Sequence, residues 1–173
     1  MDINDTAVKL AKDSLKTYLK EKKKISPLPE IKEYFLKRAG AFVSIEKKDG
    51  ALRGCIGTIE PVHQNLAEEI INNAISAGVK DPRFLPVELS ELDDLYFTVD
   101  VLHPMEEVKS LDELDPKNYG VIIIQNGKKG VLLPDLEGID TPQKQIEIAA
   151  SKAGINDVES SKIYRFKVER YHE

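Results

Sequence analysis

Asn126-Gly127 is the dipeptide that most restricts how this chain folds. Both central residues of a type I′ hairpin loop need positive φ, and Asn-Gly accepts that geometry at little steric cost. Strand-like runs at 119–124 and 129–133 flank it, so the two runs are expected to fold back on each other as antiparallel partners. A second turn signal, Lys47-Lys48-Asp49-Gly50, separates runs at 41–46 and 51–59 and predicts another hairpin. Residues 95–102 set Leu95, Phe97, Val99 and Val101 against Tyr96, Thr98, Asp100 and Leu102, the alternation of a half-buried strand. Residues 163–168 supply a last strand.

Helices fill the intervals. Val8, Ala11, Leu15, Tyr18 and Leu19 recur at helical spacing, which predicts a helix over 5–23 that Ser26-Pro27-Leu28-Pro29 breaks. Ile31, Tyr34, Phe35 and Leu36 fit either a short helix or an extended segment. After Pro61 a helix begins at Gln64 or Asn65, with Leu66, Ile70, Ile71 and Ile75 on one stripe and Gly78 placed to end it. Glu68 and Glu69 are expected on its solvated face. Asp81-Pro82-Arg83-Phe84-Leu85-Pro86 reads as a stiff connector, because each proline fixes its own φ and disfavours helix before it. Residues 88–92 suit a short turn. Thr141 is placed as an N-cap with Pro142 in the first helical position, and Gly154 stops that helix after Ala153. Two hairpins, separate strands and interspersed helices define an α+β fold, a largely antiparallel sheet flanked by helices. A chain of 173 residues suits a single domain over 1–173, with room for a small sub-lobe.

Composition removes several function classes. A net charge of −5 argues against a broad phosphate-binding surface, so nucleic acid is not an expected partner. Lys22, Lys23 and Lys24 form the one dense basic run, and with Lys20 and Glu21 beside them they suit a solvated helix end. No stretch approaches the roughly 20 apolar residues that span a bilayer. The single cysteine forms no internal disulfide, and the N-terminus lacks the apolar run of a signal peptide, so a cytoplasmic location is expected. No HExxH, paired CxxC or GxxxxGK(S/T) pattern occurs, which leaves metal sites and nucleotide hydrolysis without support and no cofactor assigned. A site from His63, Asp100 and His103 fails on strand geometry, which puts Asp100 and His103 on opposite faces.

Chemistry concentrates in Leu52-Arg53-Gly54-Cys55-Ile56-Gly57-Thr58. In a strand, Arg53, Cys55 and Gly57 share one face, with Arg53 and Cys55 about 7 Å apart at Cα. That spacing lets a guanidinium lean over the sulfur and favour its thiolate. One reading makes Cys55 a buried strand residue and the glycines close-packing positions. The other makes the stretch a site, with Cys55 as nucleophile or redox thiol, Arg53 stabilising a thiolate or oxyanion, and Gly54 and Gly57 admitting a ligand to the backbone. Both stand at this point. Asp81 and Arg83 offer a second polar pair. Either Asp81 pairs with Arg83 or caps a turn while Phe84 plugs the core, or the loop presents Arg83 to an anionic ligand.

The hexapeptide Leu52-Arg53-Gly54-Cys55-Ile56-Gly57 together with Asp81-Pro82-Arg83-Phe84 resembles the signature segments of the AMMECR family, whose prokaryotic members are called AmmeMemoRadiSam system protein A. The likeness extends over nearly the whole chain, through Gly40-Ala41-Phe42-Val43, Ile59-Glu60-Pro61, Tyr119-Gly120-Val121, Gly130-Val131-Leu132-Leu133-Pro134, Lys152-Ala153-Gly154 and Tyr164-Arg165-Phe166. Ile139-Asp140 departs from it, since many members carry tryptophan before that aspartate. The resemblance implies an α+β fold with a larger and a smaller part around a cleft at the signature. It also implies an association with Memo-type and radical-SAM proteins in a modification or redox pathway. The expected function is therefore a ligand or substrate site lined by Arg53, Gly54, Cys55, Gly57, Asp81 and Arg83, in a cysteine-dependent enzyme or an enzyme partner. The alternative is a non-enzymatic module that binds a protein or a small molecule.

Overall fold

A computed structural model describes residues 2–27 and 31–173, and the chain divides into two compact units, Met1–Leu102 with Glu169–Glu173, and His103–Val168. Leu28 and Pro29 of the expected helix breaker lie outside the described residues. The strands are β1 (Ala41–Lys47), β2 (Leu52–Thr58), β3 (Leu95–Leu102), β4 (Glu106–Val108), β5 (Gly120–Gln125), β6 (Lys128–Leu132), β7 (Lys162–Phe166) and β8 (Val168–His172). The α-helices are α1 (Ile3–Glu21), α2 (Leu66–Val79) and α3 (Pro142–Ala153). The architecture is α+β, with two separate four-stranded sheets in place of the single sheet read from the sequence. Among the described residues no helix is long and apolar enough to cross a membrane.

In the first unit the strands are ordered β2-β1-β3-β8, and β1 pairs antiparallel with both β2 and β3. The Asp49-Gly50 turn joins β1 to β2 with only Gly50 at positive φ (83°), and the register shifts between Ile45 and Glu46. One face of the sheet carries Val43, Ile45, Phe97, Val99 and Val101, all fully buried with Leu15 of α1 and Leu66, Ile70 and Ala74 of α2. Each such side chain contributes about 1.5–3 kcal/mol by leaving water. Asp2 caps α1 by accepting from the Asp5 N–H at 2.8 Å, and Lys22 closes it in the left-handed region. Asn65 caps α2 by accepting from the Glu68 N–H at 2.9 Å. The segment before β1 takes a short 3₁₀ turn, Glu33–Leu36, which buries Phe35.

The second unit orders its strands β4-β7-β5-β6, antiparallel throughout. Asn126 (φ 49°) and Gly127 (φ 79°) make the tight turn between β5 and β6 that the dipeptide predicts. Val121, Ile123 and Leu132 pack with Ile146, Ala149 and Ala150 of α3 as a separate core. Thr141 caps α3 by accepting from the Lys144 N–H, Pro142 takes the first turn, and Gly154 ends the helix at φ 64°.

Three local expectations change. Gly78 does not end α2; it lies inside the helix, where the Leu15 side chain occupies the space a Cβ needs. The last strand is two strands, β7 and β8, which belong to different sheets. Glu69 is not on a solvated face but fully buried, its carboxylate accepting from the Thr58 hydroxyl at 2.5 Å and from the Val62 and His63 N–H groups at 2.9 Å each. Three donors satisfy a carboxylate that a dry core otherwise excludes.

Candidate functional site at an edge strand

β2 forms an edge of its sheet, which leaves alternate backbone N–H and C=O groups pointing away from β1. Cys55 is one of these outward residues. Its N–H donates to Asp81 Oδ2 at 2.9 Å, and its carbonyl accepts from Arg83 Nη2 at 3.4 Å. The Asp81-Arg83 pair therefore caps the sheet edge as a neighbouring strand would. Cys55 lies opposite Ser44 on β1, in a pair whose side chains approach closely because the backbone bonds lie elsewhere. The Ser44 hydroxyl donates to Cys55 Sγ at 3.2 Å.

The two glycines are set by sterics. A Cβ on Gly54 would stand 2.1 Å from the Ala77 carbonyl oxygen, so α2 crosses directly over the strand there. A Cβ on Gly57 would stand 2.2 Å from the Phe42 ring, which lies across from it in register.

Asp81 organises the loop after α2. Its buried carboxylate accepts from the Arg83 N–H and Nε at 3.0 Å each, from Arg83 Nη2 at 2.7 Å, and from the Cys55 N–H. The Arg83 guanidinium and these N–H donors hold its carboxyl well below the usual carboxylate range. Asp81 thus both pairs with Arg83 and caps the turn, and Phe84 is only half-buried. Arg53 fastens the other end of the loop. Its Nε and Nη2 hold Glu91 at 2.8 and 3.0 Å, while Nη1 and Nη2 donate to the Leu85 and Pro86 carbonyls at 2.9 and 3.3 Å. The Arg53 bond lowers the Glu91 carboxyl pKa.

The cation that acts on the Cys55 sulfur is Arg83. Burial pushes the thiol pKa up, against the Ser44 hydrogen bond and the Arg83 charge, while Asp100 and Asp81 push it further up. Asp100 is nearly buried on β3 and paired to Arg170 of β8 at 2.7 and 3.2 Å. The structure brings Cys55, Asp81 and Arg83 together, sets Gly54 and Gly57 beside them as packing positions, and engages Arg53 with Glu91. Sequence reasoning missed Ser44, Glu91, Asp100 and Arg170. Counting back from the Asp49-Gly50 turn would have brought Ser44 near Cys55; no local signal marks the others. Among the described residues no three His, Cys, Asp or Glu side chains are grouped as a metal ion would need.

A two-unit α+β chain, with an edge strand capped by an Asp-Arg loop, is the class of protein these features define. The AMMECR1 family model matches residues 8–171, and the chain belongs to that family. A Thermotoga maritima protein is 52% identical over 171 residues, covering 95% of each chain. A Clostridium acetobutylicum protein is 50% identical over 98% of this chain, but the match spans only 36% of that longer protein. The crystal structure of an uncharacterised Pyrococcus horikoshii protein superposes with a TM-score of 0.91 at 30% identity, covering 98% of this chain and 91% of that one.

Proposed function

We propose that this chain is a recognition domain that serves an enzyme as its partner, with β2 and the 81–86 loop as the binding region and Cys55 as a neutral thiol within it. The observation that carries this reading is the engagement of Arg53. The enzyme reading assigns Arg53 to the sulfur, and that guanidinium is instead bound to Glu91 and two loop carbonyls, while burial outweighs the Arg83 charge that does reach the thiol. Burial, which raises the thiol pKa, also favours the form that does not attack electrophiles. Arg83 remains 56% exposed although paired with buried Asp81, as a recognition arginine would be. In the Clostridium relative the matched region shares one polypeptide with a longer remainder, which supports a domain that works alongside another. The family resemblance puts Memo-type and radical-SAM proteins forward as partners.

Calorimetric titration of a purified Memo-type protein and of a radical-SAM protein into variants of this chain tests the reading. Cys55→Ser is expected to bind within twofold of wild type. Arg53→Ala, which releases the loop, is expected to weaken binding at least tenfold. Loss of binding in Cys55→Ser, or a turnover that depends on Cys55, would overturn it.

A further inference from the structure

The geometry points to the tip of the 82–86 loop as the anchor of the interface, and to a partner protein offering an apolar pocket rimmed by carboxylates. This rests on the recognition reading and adds to it the contact surface and the chemistry of the occupant. Leu85 is 83% exposed, more than any other large hydrophobic residue described, ahead of Val62 at 70% and Leu36 at 56%. A single exposed leucine on a mobile loop has no meaning by itself. This one is on a loop built to be rigid.

Four acceptor contacts from Asp81 fix its first half. Arg53 holds the Leu85 and Pro86 carbonyls, and the Val87 N–H donates to the Gly78 carbonyl at 2.7 Å, which fixes its second half. Pro82 and Pro86 remove further backbone freedom. An ordered tip pays little entropy on docking, so its apolar contact converts into affinity more fully than a flexible one.

The charge around the tip gives the second half of the inference. Asp81 is buried and Arg83 is exposed, so this pair presents its guanidinium and not its carboxylate at the surface of the loop. Arg83 also lies 5.4 Å from the half-buried Phe84 ring, which holds it alongside the apolar tip. A pocket that receives Leu85 would therefore carry acidic groups at its rim, where Arg83 reaches. The 50%-identical Clostridium protein carries further sequence beyond the matched 36% in the same polypeptide, and that remainder is the partner the test below presents to the tip.

Hydroxyl-radical footprinting reads side-chain cover directly. The probe is the full-length Clostridium protein with its matched region replaced by this chain, compared with this chain alone and with the unmodified Clostridium protein. Labelling of Leu85 and Phe84 is expected to fall at least fivefold in the full-length chimera, and of the aligned loop likewise in the unmodified protein. Leu85→Asp and, separately, Arg83→Glu in the chimera are expected to return Phe84 labelling to the level of the chain alone. Full labelling of the tip, with protection at some other surface of this chain, overturns the anchor and leaves the recognition reading standing. No protection anywhere on this chain overturns the anchor, and the recognition reading is then overturned only by the calorimetric titration above. Protection of the tip in the chain alone that rises with concentration assigns it to a second copy and overturns the acidic-pocket partner.

Discussion

Replacing Gly54 with alanine tests the central packing claim in one atom. The added Cβ would stand 2.1 Å from the Ala77 carbonyl oxygen, where an ordinary contact needs 3.4 Å or more, so α2 and β2 must separate by more than an ångström. Neither side yields easily. β2 is laddered to β1 through the register that pairs Ile45 with Gly54, and α2 is tied at its start by the Asn65 cap and the Glu69 carboxylate. Overpacking of this kind costs about 1–3 kcal/mol, and a clash between two backbone segments belongs at about 3. For a chain of this size that is a fall in Tm of about 6–12 °C. Differential scanning calorimetry of the purified variant measures it, with Gly54→Ala/Ala77→Gly as a second sample. Because the obstacle is the carbonyl of Ala77 and not its side chain, the second substitution is expected to restore nothing. A Gly54→Ala protein that melts within 1 °C of wild type, or a rescue by Ala77→Gly, would refute the reasoning.

Further substitutions probe the polar scaffold. Glu69→Ala strips the acceptor from the Thr58 hydroxyl and from two loop N–H groups, and is expected to lower the unfolding free energy by about 3 kcal/mol in urea titration, at about 1 kcal/mol for each of the three part-buried donors left unpaired. Asp81→Asn reports on pH: the folded carboxyl titrates below its unfolded value, so its contribution is complete above about pH 5 and disappears as pH falls through the acid range. The urea midpoint of Asp81→Asn is therefore expected to lie below wild type at pH 7, with the gap closing below about pH 4. Thr141→Ala removes the α3 cap and is expected to cost about 1 kcal/mol by the same assay.

What was legible in the sequence was local. Asn126-Gly127 marks its hairpin because both positive φ values occur at adjacent residues, and Thr141-Pro142 marks a helix start because cap and first turn lie side by side. The division into two sheets was not legible, since it depends on β7 and β8 parting around Lys167 to join different partners. The site was half legible. Strand alternation places Arg53 and Cys55 on one face, but the partner that claims Arg53 lies 38 residues away in a short 3₁₀ turn. The same distance effect hid Glu69: helical spacing marks the apolar stripe of α2, while the chain that wraps over Glu69 comes from residues 58–63. Asp100 read as the polar side of an alternating strand, and only the return of β8 supplies Arg170 to pair with it.

The rate of Cys55 alkylation by iodoacetamide, followed by mass spectrometry from pH 6 to pH 11, tests the proposed neutral thiol most directly. Burial outweighs the Ser44 and Arg83 contributions in this structure, so the reaction is expected to be slow at pH 7, with a midpoint above the free-thiol value of about 8.5. A fast reaction at pH 7 with a midpoint well below that value would show an activated thiolate and contradict the account.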